Sequence, residues 1–498
     1  MGFVGPEHPP QARILVLGQN PGAEEERDTL PFVGKSGQLI NKVYIPLAGV
    51  ERGMDVAVDN ILRCRHNRSN DLPRGDTYTC AVEHCTRAHF RIPDSVKAIV
   101  AVGALAWDFC GGEGKVTERR GSVCMWVSPQ RTIPVLCTIH PAEQFHAGRK
   151  PAVTDIETRK DWSRVQDILG GTYPKPLPPL EDGGSKGMNE WFDQAEKMPF
   201  VVIDTEFYPN NLISIIGLAY WACGKPQGLQ LDFRGGNAPY VGEFSRRLRE
   251  LCGNVPIVFQ NAPADVRAMR YTWDIDWHHF HRIEDTMQAH AVLYTELPHG
   301  LDWLLSMYSD YEHTKHLQHE DELKYNWGDV VHTGEVWRGV SAEHESDSQV
   351  AEVYRSQNLP LLPIIETATA SGLRVNQDKV RHAIPAFESQ MHEAELISQA
   401  YCGWPINPGS PDQLKKQLYD IEGLPVQKHP STKKPTVYKD AIGEMRQQYG
   451  TVDPDEVMTV ESILDNIEEG AHPLLEGATL YGKAEHTLSA YLYPLVEE

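Results

Sequence analysis

Between Tyr173 and Ser185 the chain reads Tyr-Pro-Lys-Pro-Leu-Pro-Pro-Leu-Glu-Asp-Gly-Gly-Ser. Proline removes backbone donors and fixes φ, and paired glycines add flexibility. Neither a helix interior nor a central strand is expected to run through such a tract. The stretch 173–197 reads as a linker that divides the chain.

A length of 498 residues sets a prior of roughly three domains. A hydrophobic share of 41% with 23% charged residues is ordinary for globular protein. The formal charge of −22 argues against bulk adsorption to nucleic acid, yet leaves room for local basic grooves around carboxylate-rich sites. No apolar run reaches the length of a membrane span, and the Met1–Pro6 start lacks a signal pattern. The expectation is a cytoplasmic protein with no membrane partner, in a bacterial cell or a phage-infected one. Nine cysteines spread over this length form no disulfide framework, and Cys110 and Cys137 sit inside apolar runs.

In residues 1–172, strand-like runs at Ile14–Leu17, Val56–Leu62, Val96–Val102 and Val135–Ile139 alternate with helical stretches, the pattern of a mostly parallel sheet covered by helices. Gly18-Gln19-Asn20-Pro21-Gly22 follows the first run directly, at the carboxyl end of a strand where open α/β sheets place ligands. The segment Ala23–Leu39, the stretch Asn60-Ile61-Leu62-Arg63-Cys64-Arg65, the strand ending Val102-Gly103-Ala104 and His140-Pro141-Ala142 follow in order. Together with the Gly18–Gly22 turn, this set resembles the uracil-DNA glycosylase superfamily, most closely its iron–sulfur branch, family 4.

The resemblance implies a three-layer α/β domain that takes a uracil out of the DNA stack. Phe32 would stack on the base, Asn60 would read its edge, Gln19 would line the pocket, Asn20 would orient a water and His140 would stabilise the leaving uracil. Arg63, Arg65 and Arg68 lie beside this pocket as candidate phosphate contacts. Gln19-Asn20 stands where family 4 usually has Glu-Ala; an Asn at the second place occurs in the mismatch-specific branch. Family 4 also implies a [4Fe–4S] cluster on four cysteines, two of them upstream of the first strand. Here Cys64 and Cys85, with Cys80 as an alternative, match the downstream pair, and no cysteine precedes Ile14. Either the cluster has been lost or the natural start lies upstream of Met1.

Residues 198–349 open on Phe200-Val201-Val202-Ile203-Asp204-Thr205-Glu206-Phe207, an apolar run ending in two carboxylates one residue apart. On a strand, positions i and i+2 share a face, so Asp204 and Glu206 can share one metal ion. Ile213–Tyr220 should pair beside this strand. Asn261-Ala262-Pro263-Ala264-Asp265 places a carboxylate early in a helix, and Tyr325 and Asp329 are four apart on one helical face. Asp285 is a supporting carboxylate or a helix cap, while His344-Glu345-Ser346-Asp347 has the wrong spacing for a rival site.

The order Asp204-x-Glu206, Asn261-x-x-x-Asp265, Tyr325-x-x-x-Asp329 resembles the DEDD 3′–5′ exonucleases, specifically the proofreading domain of family A DNA polymerases. The resemblance implies a ribonuclease H-like fold, two Mg²⁺ or Mn²⁺ ions on Asp204, Glu206, Asp265 and Asp329, a water held by Tyr325, and Asn261 on the substrate. Single-stranded 3′ ends, primer–templates and uracil-containing DNA are the implied partners.

Residues 350–498 carry long helical periodicities. The segments Asn358–Asn376, Ile406–Leu414 and Tyr481–Leu495 resemble the polymerase helix that leaves the exonuclease domain and the thumb, with Ser410 or Asp412 capping the helix over Gln413–Tyr419. The chain stops at Glu498, where palm and fingers should begin, so the expectation is part of a split or truncated family A DNA polymerase, either a subunit completed by a separate palm-and-fingers chain or a truncated reading frame, and no polymerase activity is expected of this chain alone. The reading is a DNA replication and repair enzyme that joins an exonuclease to a uracil-reading domain. The alternative is a non-catalytic, uracil-sensing assembly subunit of a polymerase.

Overall fold

The computed structural model describes residues 2–65, 79–87, 90–145, 151–180, 184–235, 240–429, 434–449 and 459–496. They form two compact units, Met1–Ala370 and Ser371–Glu498. The first unit holds two five-stranded sheets. Strands β1 (Ile14–Gly18), β2 (Val56–Asn60), β3 (Ala98–Val102), β4 (Val123–Val127) and β5 (Thr132–Thr138) pair in the order β2-β1-β3-β5-β4. All pairs are parallel except β4 with β5.

Alternation along the strands explains the layers. Leu15, Leu17, Ile99, Ala101 and Val135 pack under one set of helices, and Ile14, Val16, Val100, Val102 and Leu136 pack under another. A sheet buried on both faces makes the expected α/β sandwich of three layers. The antiparallel edge β4 was not read from sequence, because its burial is partial and its Met125 and Val127 face solvent.

The second sheet uses β6 (Val201–Phe207), β7 (Ile213–Ala222), β8 (Lys225–Asp232), β9 (Pro256–Phe259) and β10 (Arg282–Asp285) in the order β10-β9-β6-β7-β8. β9 is parallel to β6 and β10, whereas β6, β7 and β8 form an antiparallel meander. Val201 and Ile203 face the core that contains helix Ala262–Trp273; Val202 faces helix Glu322–Ser346 through Trp327, Val330 and Val331.

Where a linker was expected, much of the chain is built into this domain. Lys175 joins Tyr311 as a bridge, with its amide donating to the Asp310 carbonyl at 2.8 Å. The indole of Trp327 donates to the Pro178 carbonyl at 2.7 Å. Gly184–Ala195 is a helix whose Met188, Trp191, Phe192 and Ala195 enter the core of the second sheet. The amphipathic spacing of those four residues supplies a burial energy that the adjacent prolines and glycines do not veto.

The first unit also runs past the expected boundary at 349/350. Helix Ser348–Val353 and the turn after it bring in Tyr354, whose hydroxyl donates to Glu284 Oε2 at 3.0 Å and accepts from the Asp285 amide at 2.9 Å. Arg267 then clamps Glu366 through paired bonds of 2.7 and 2.6 Å.

The second unit is helical. Helices Gln377–Cys402 and Pro473–Thr487 pack closely, and Ile406, Leu414, Leu418, Met445, Leu474 and Leu475 form an adjoining core. Arg446 makes a bidentate pair with buried Glu476 at 2.7 and 2.8 Å. Ser410 takes the cap position of helix Pro411–Lys415 without a side-chain bond, and Asp412 instead pairs with Lys415. Among the described residues no helix is long and apolar enough to cross a membrane.

Candidate active sites

At the carboxyl end of β1, a cavity of about 600 Å³ is lined by Gln19, Asn20, Phe32, Asn60 and His140, among others. A Cβ built on Gly18 would lie 2.5 Å from Asn60 Oδ1 and 2.7 Å from Phe32 Cζ, so the glycine lets both side chains close over the strand end. Phe32 adopts φ 56°, a left-handed conformation costly for an aromatic residue. Its carbonyl accepts from Asn41 Nδ2 at 2.8 Å and Arg52 at 3.1 Å, while Arg52 also holds the Pro31 carbonyl at 2.7 Å. Those bonds offset the strain and fix the ring.

His140 Nδ1 accepts from the Ala142 amide at 3.1 Å. In the neutral ring the proton then sits on Nε2, which is the donor form needed beside a developing anion. Asn20 donates from Nδ2 to the Pro21 carbonyl at 3.2 Å. Two residues absent from the sequence reading complete the pocket. Glu25 accepts from the amides of Gly22 at 3.1 Å and Gly34 at 2.8 Å and so joins its two loops, and exposed Phe145 forms part of the wall. An acid run near a glycine turn carries no signal for such loop bridging.

The proposed arginine contacts need correction. Arg63 is committed to buried Asp59 through bonds of 3.0 and 2.7 Å, so it shapes the strand end instead of offering a phosphate grip. Arg65 faces Glu26 at 3.5 Å, and Arg68 lies outside the described residues. Cys64 and Cys80 are exposed, and the Cys85 side chain lies outside the described residues. The described thiols do not make a four-thiolate set.

In the second sheet, Asp204 and Glu206 point to the face covered by helix Glu322–Ser346, which carries Asp329. Carboxylate oxygens of the three lie within 4.8 Å of one another. Thr205 points to the other face. There its amide and hydroxyl donate to Asp265 Oδ1 at 2.9 and 2.8 Å. Asp265 thus approaches from the opposite helix and stands apart from the cluster of three, although it is the foremost of the charges acting on Asp204.

Desolvation, then the charges of Asp265, Asp329 and Glu206, hold the Asp204 carboxyl well above its usual range. Desolvation likewise pushes Glu206, with Glu322 nearby, up to about 7, and Asp265 and Asp329 up to about 7. Tyr325 is buried, shares a hydrogen bond with Asp329 and has its phenol pushed far up, so it stays protonated.

Sequence reasoning missed the groups that hold this cluster. Asn326, fully buried, donates from Nδ2 to Asp204 Oδ2 at 2.8 Å and to the Asp204 carbonyl at 3.2 Å. Its Oδ1 accepts from Gln230 at 2.9 Å. Gly217 faces Asp204 across β6 and β7, and a Cβ there would lie 2.5 Å from Asn326 Oδ1. Asp285 proves to be a double cap: it accepts from the Ala262 amide at 2.7 Å and from the Gln288 amide at 3.1 Å, anchoring two helix starts. Asn261 is exposed at φ 66°, at the cap position of the Asp265 helix.

Residues 6–163 match the family model of the uracil DNA glycosylase superfamily, and residues 184–329 match that of a 3′–5′ exonuclease. A type-4 uracil-DNA glycosylase of Thermotoga maritima is 30% identical over 162 residues, which is 31% of this chain and 79% of that protein. One of Pyrobaculum aerophilum is 31% identical over 170 residues, 33% of this chain and 81% of that protein. Among solved structures, the POL domain of Pol1 from M. smegmatis, in complex with DNA primer-template and dNTP, aligns at a TM-score of 0.45 and 15% identity. That alignment covers 64% of this chain and 49% of the other, so the chain spans about half of that structure. The chain therefore belongs, through residues 6–163, to the uracil-DNA glycosylase superfamily, and it continues into a 3′–5′ exonuclease domain over residues 184–329.

Proposed function

We propose that this chain is a DNA-maintenance hydrolase with two centres, a metal-dependent 3′–5′ exonuclease of the proofreading type and a uracil pocket. The observation that carries the first is the convergence of Asp204, Glu206 and Asp329, with Asp265 close behind. A set of hard oxygen donors whose ionisation is opposed by desolvation and mutual repulsion fits divalent cations of the Mg²⁺ or Mn²⁺ kind. Asp204, Glu206 and Asp329 would hold them, with Asp265, bonded to Thr205, adding its charge from the other side of the strand. Bound there, such ions supply a hydroxide nucleophile and neutralise charge at the scissile phosphate.

The chain's own residues do the rest. Asn326 fixes the rotation of Asp204, and protonated Tyr325 presents a hydroxyl beside Asp329 where it can orient a water. Phe207 and Tyr208, exposed just beyond Glu206, offer faces on which bases of a single strand stack. Degradation of a 5′-labelled single strand in Mn²⁺, lost in Asp204→Ala, tests this centre; degradation that persists in the variant refutes the assignment.

In the first pocket Phe32 stacks on a flipped uracil, Asn60 reads its edge, and His140 donates from Nε2 to the leaving base. Gln19 and Asn20 border the sugar side, with Asn20 orienting the water. A second reading, uracil recognition without excision, is favoured by the commitment of Asn20 Nδ2 to the Pro21 carbonyl and by the lack of a carboxylate at positions 19 and 20. Alkali-labile sites on uracil-DNA that disappear in His140→Ala support excision; tight uracil-DNA binding with no such sites supports recognition alone. The described thiols do not fit an iron–sulfur cluster, and no step of either centre runs through one.

A further inference from the structure

Among the described residues, buried polar contacts join the glycosylase-like and exonuclease domains and gather on residues 303–313 of the latter. Arg120, 2% exposed, donates to Asp161 Oδ1 at 2.8 Å and to the Glu157 carbonyl at 3.0 Å, and its other terminal nitrogen donates to Ser306 Oγ. Arg164 donates to the Ser309 carbonyl at 2.9 Å, with its guanidinium 4.7 Å from the Tyr173 ring centroid. The indole of Trp303 donates to Glu157 Oε1 at 2.9 Å, and Ser122 Oγ lies 3.0 Å from His313 Nδ1. Asp161 takes a further bond from Thr138 at 2.9 Å, so the charge that orients Arg120 is itself fixed.

The far side of that segment touches the helix of the exonuclease centre. Ser309 Oγ lies 2.9 Å from His332 Nδ1 on helix Glu322–Ser346. A Cβ built on Gly328 would lie 2.2 Å from Thr314 Oγ1, which puts the segment against the residue next to Asp329. Lys315 Nζ lies 5.7 Å from the centroid of the Tyr325 ring, and the Lys315 charge acts on both Glu206 and Asp329. Residues 306–315 are therefore held between two buried arginines of one domain and the Tyr325–Asp329 turn of the other.

We infer that the glycosylase-like domain is a positioning element of the exonuclease: Arg120 and Arg164 fix residues 306–315, and these fix the helix that carries Tyr325 and Asp329. The guanidinium fork suits the task, because its donors diverge in one plane while the ion pair with Asp161 keeps the group from rotating. Displacement of a catalytic group by about 1 Å costs up to about a hundredfold in rate, so modest slack in the segment has a kinetic signature.

This inference rests on the exonuclease reading, and its test separates the two. Full-length wild type, Ser306→Ala, Arg120→Met and Asp204→Ala are compared for kcat, for KM on a 5′-labelled single strand, and for the Mn²⁺ concentration giving half-maximal rate. Ser306→Ala removes one acceptor and leaves the Arg120–Asp161 pair intact, so it keeps the fold. The expected result is a kcat lowered several-fold in Ser306→Ala and about ten- to a hundredfold in Arg120→Met. KM for DNA stays unchanged and the Mn²⁺ requirement rises. Ser306→Ala and Arg120→Met both matching wild type in kcat and Mn²⁺ requirement would overturn the inference. So would a loss of rate at an unchanged Mn²⁺ requirement, which marks general unfolding. A wild-type chain that degrades no DNA refutes the exonuclease reading instead.

Discussion

At the scale of residues, the exonuclease centre is a balance between carboxylate repulsion and the groups that hold each carboxylate in place. Asn326 is the most direct of these holders, with its 2.8 Å bond to Asp204 Oδ2. A hydrogen bond to a charged group contributes about 1.5–3 kcal/mol. Asn326→Ala should therefore lower exonuclease kcat about ten- to a hundredfold with little change in KM for DNA; an unchanged kcat would remove Asn326 from the site. Titration gives a second test. Glu206, Asp265 and Asp329 sit at about 7 in the folded chain, against roughly 4 in an unfolded one. Between those values the folded state binds more protons, so stability is full below pH of about 4 and is lost as pH rises through about 7. In EDTA the melting temperature should fall from pH 5 to pH 8, less steeply in Glu206→Gln, and Mn²⁺ should restore it at pH 8. A melting temperature that rises over that interval in EDTA would contradict the clustering. In the other pocket, His140→Ala should reduce uracil excision about a hundred- to a thousandfold, measured as alkali-labile ends.

At the scale of elements, part of the molecule was legible and part was not. The run Ile14–Leu17 is apolar without interruption, and those from Val56 and Val96 are apolar apart from Asp59-Asn60 and Lys97, so all three read as strands covered on both faces. Asp204 and Glu206 were legible because a period of two puts both on one face. Asn326 and Gly217 were not, since their roles arise from a contact between β7 and a helix more than a hundred residues away, which no local spacing encodes. Helix Gly184–Ala195 was hidden by the composition of its neighbours, and β8 and β10 by their mixed burial. The loop that carries Phe32 shows the same limit. Its left-handed turn depends on Arg52, itself held by Glu7 at 2.8 Å. Arg52→Ala should raise KM for uracil-DNA about tenfold and leave the exonuclease unchanged, a loss of about 1.4 kcal/mol in pocket binding. Steady-state kinetics with both substrates would expose an error here as equal losses in the two activities.

At the scale of the whole molecule, the two candidate sites share the compact unit Met1–Ala370, and buried charge joins their domains. Removing one partner of a buried ion pair costs about 3–5 kcal/mol, so Asp161→Ala should lower the stability of the two domains together and merge no new transition into the melt. Independent melting of the domains in wild type would show that they are merely tethered. We propose that one chain carries an exonuclease centred on Asp204 and a uracil pocket centred on His140. The most direct measurement uses a 5′-labelled single strand with one internal uracil, incubated in Mn²⁺ or in EDTA. Wild type should shorten the strand from its 3′ end in Mn²⁺ alone, Asp204→Ala should abolish that shortening, and the uracil reaction should persist in EDTA and fall about a hundred- to a thousandfold in His140→Ala. Shortening that survives Asp204→Ala, or that proceeds in EDTA, would contradict a metal-dependent centre at Asp204.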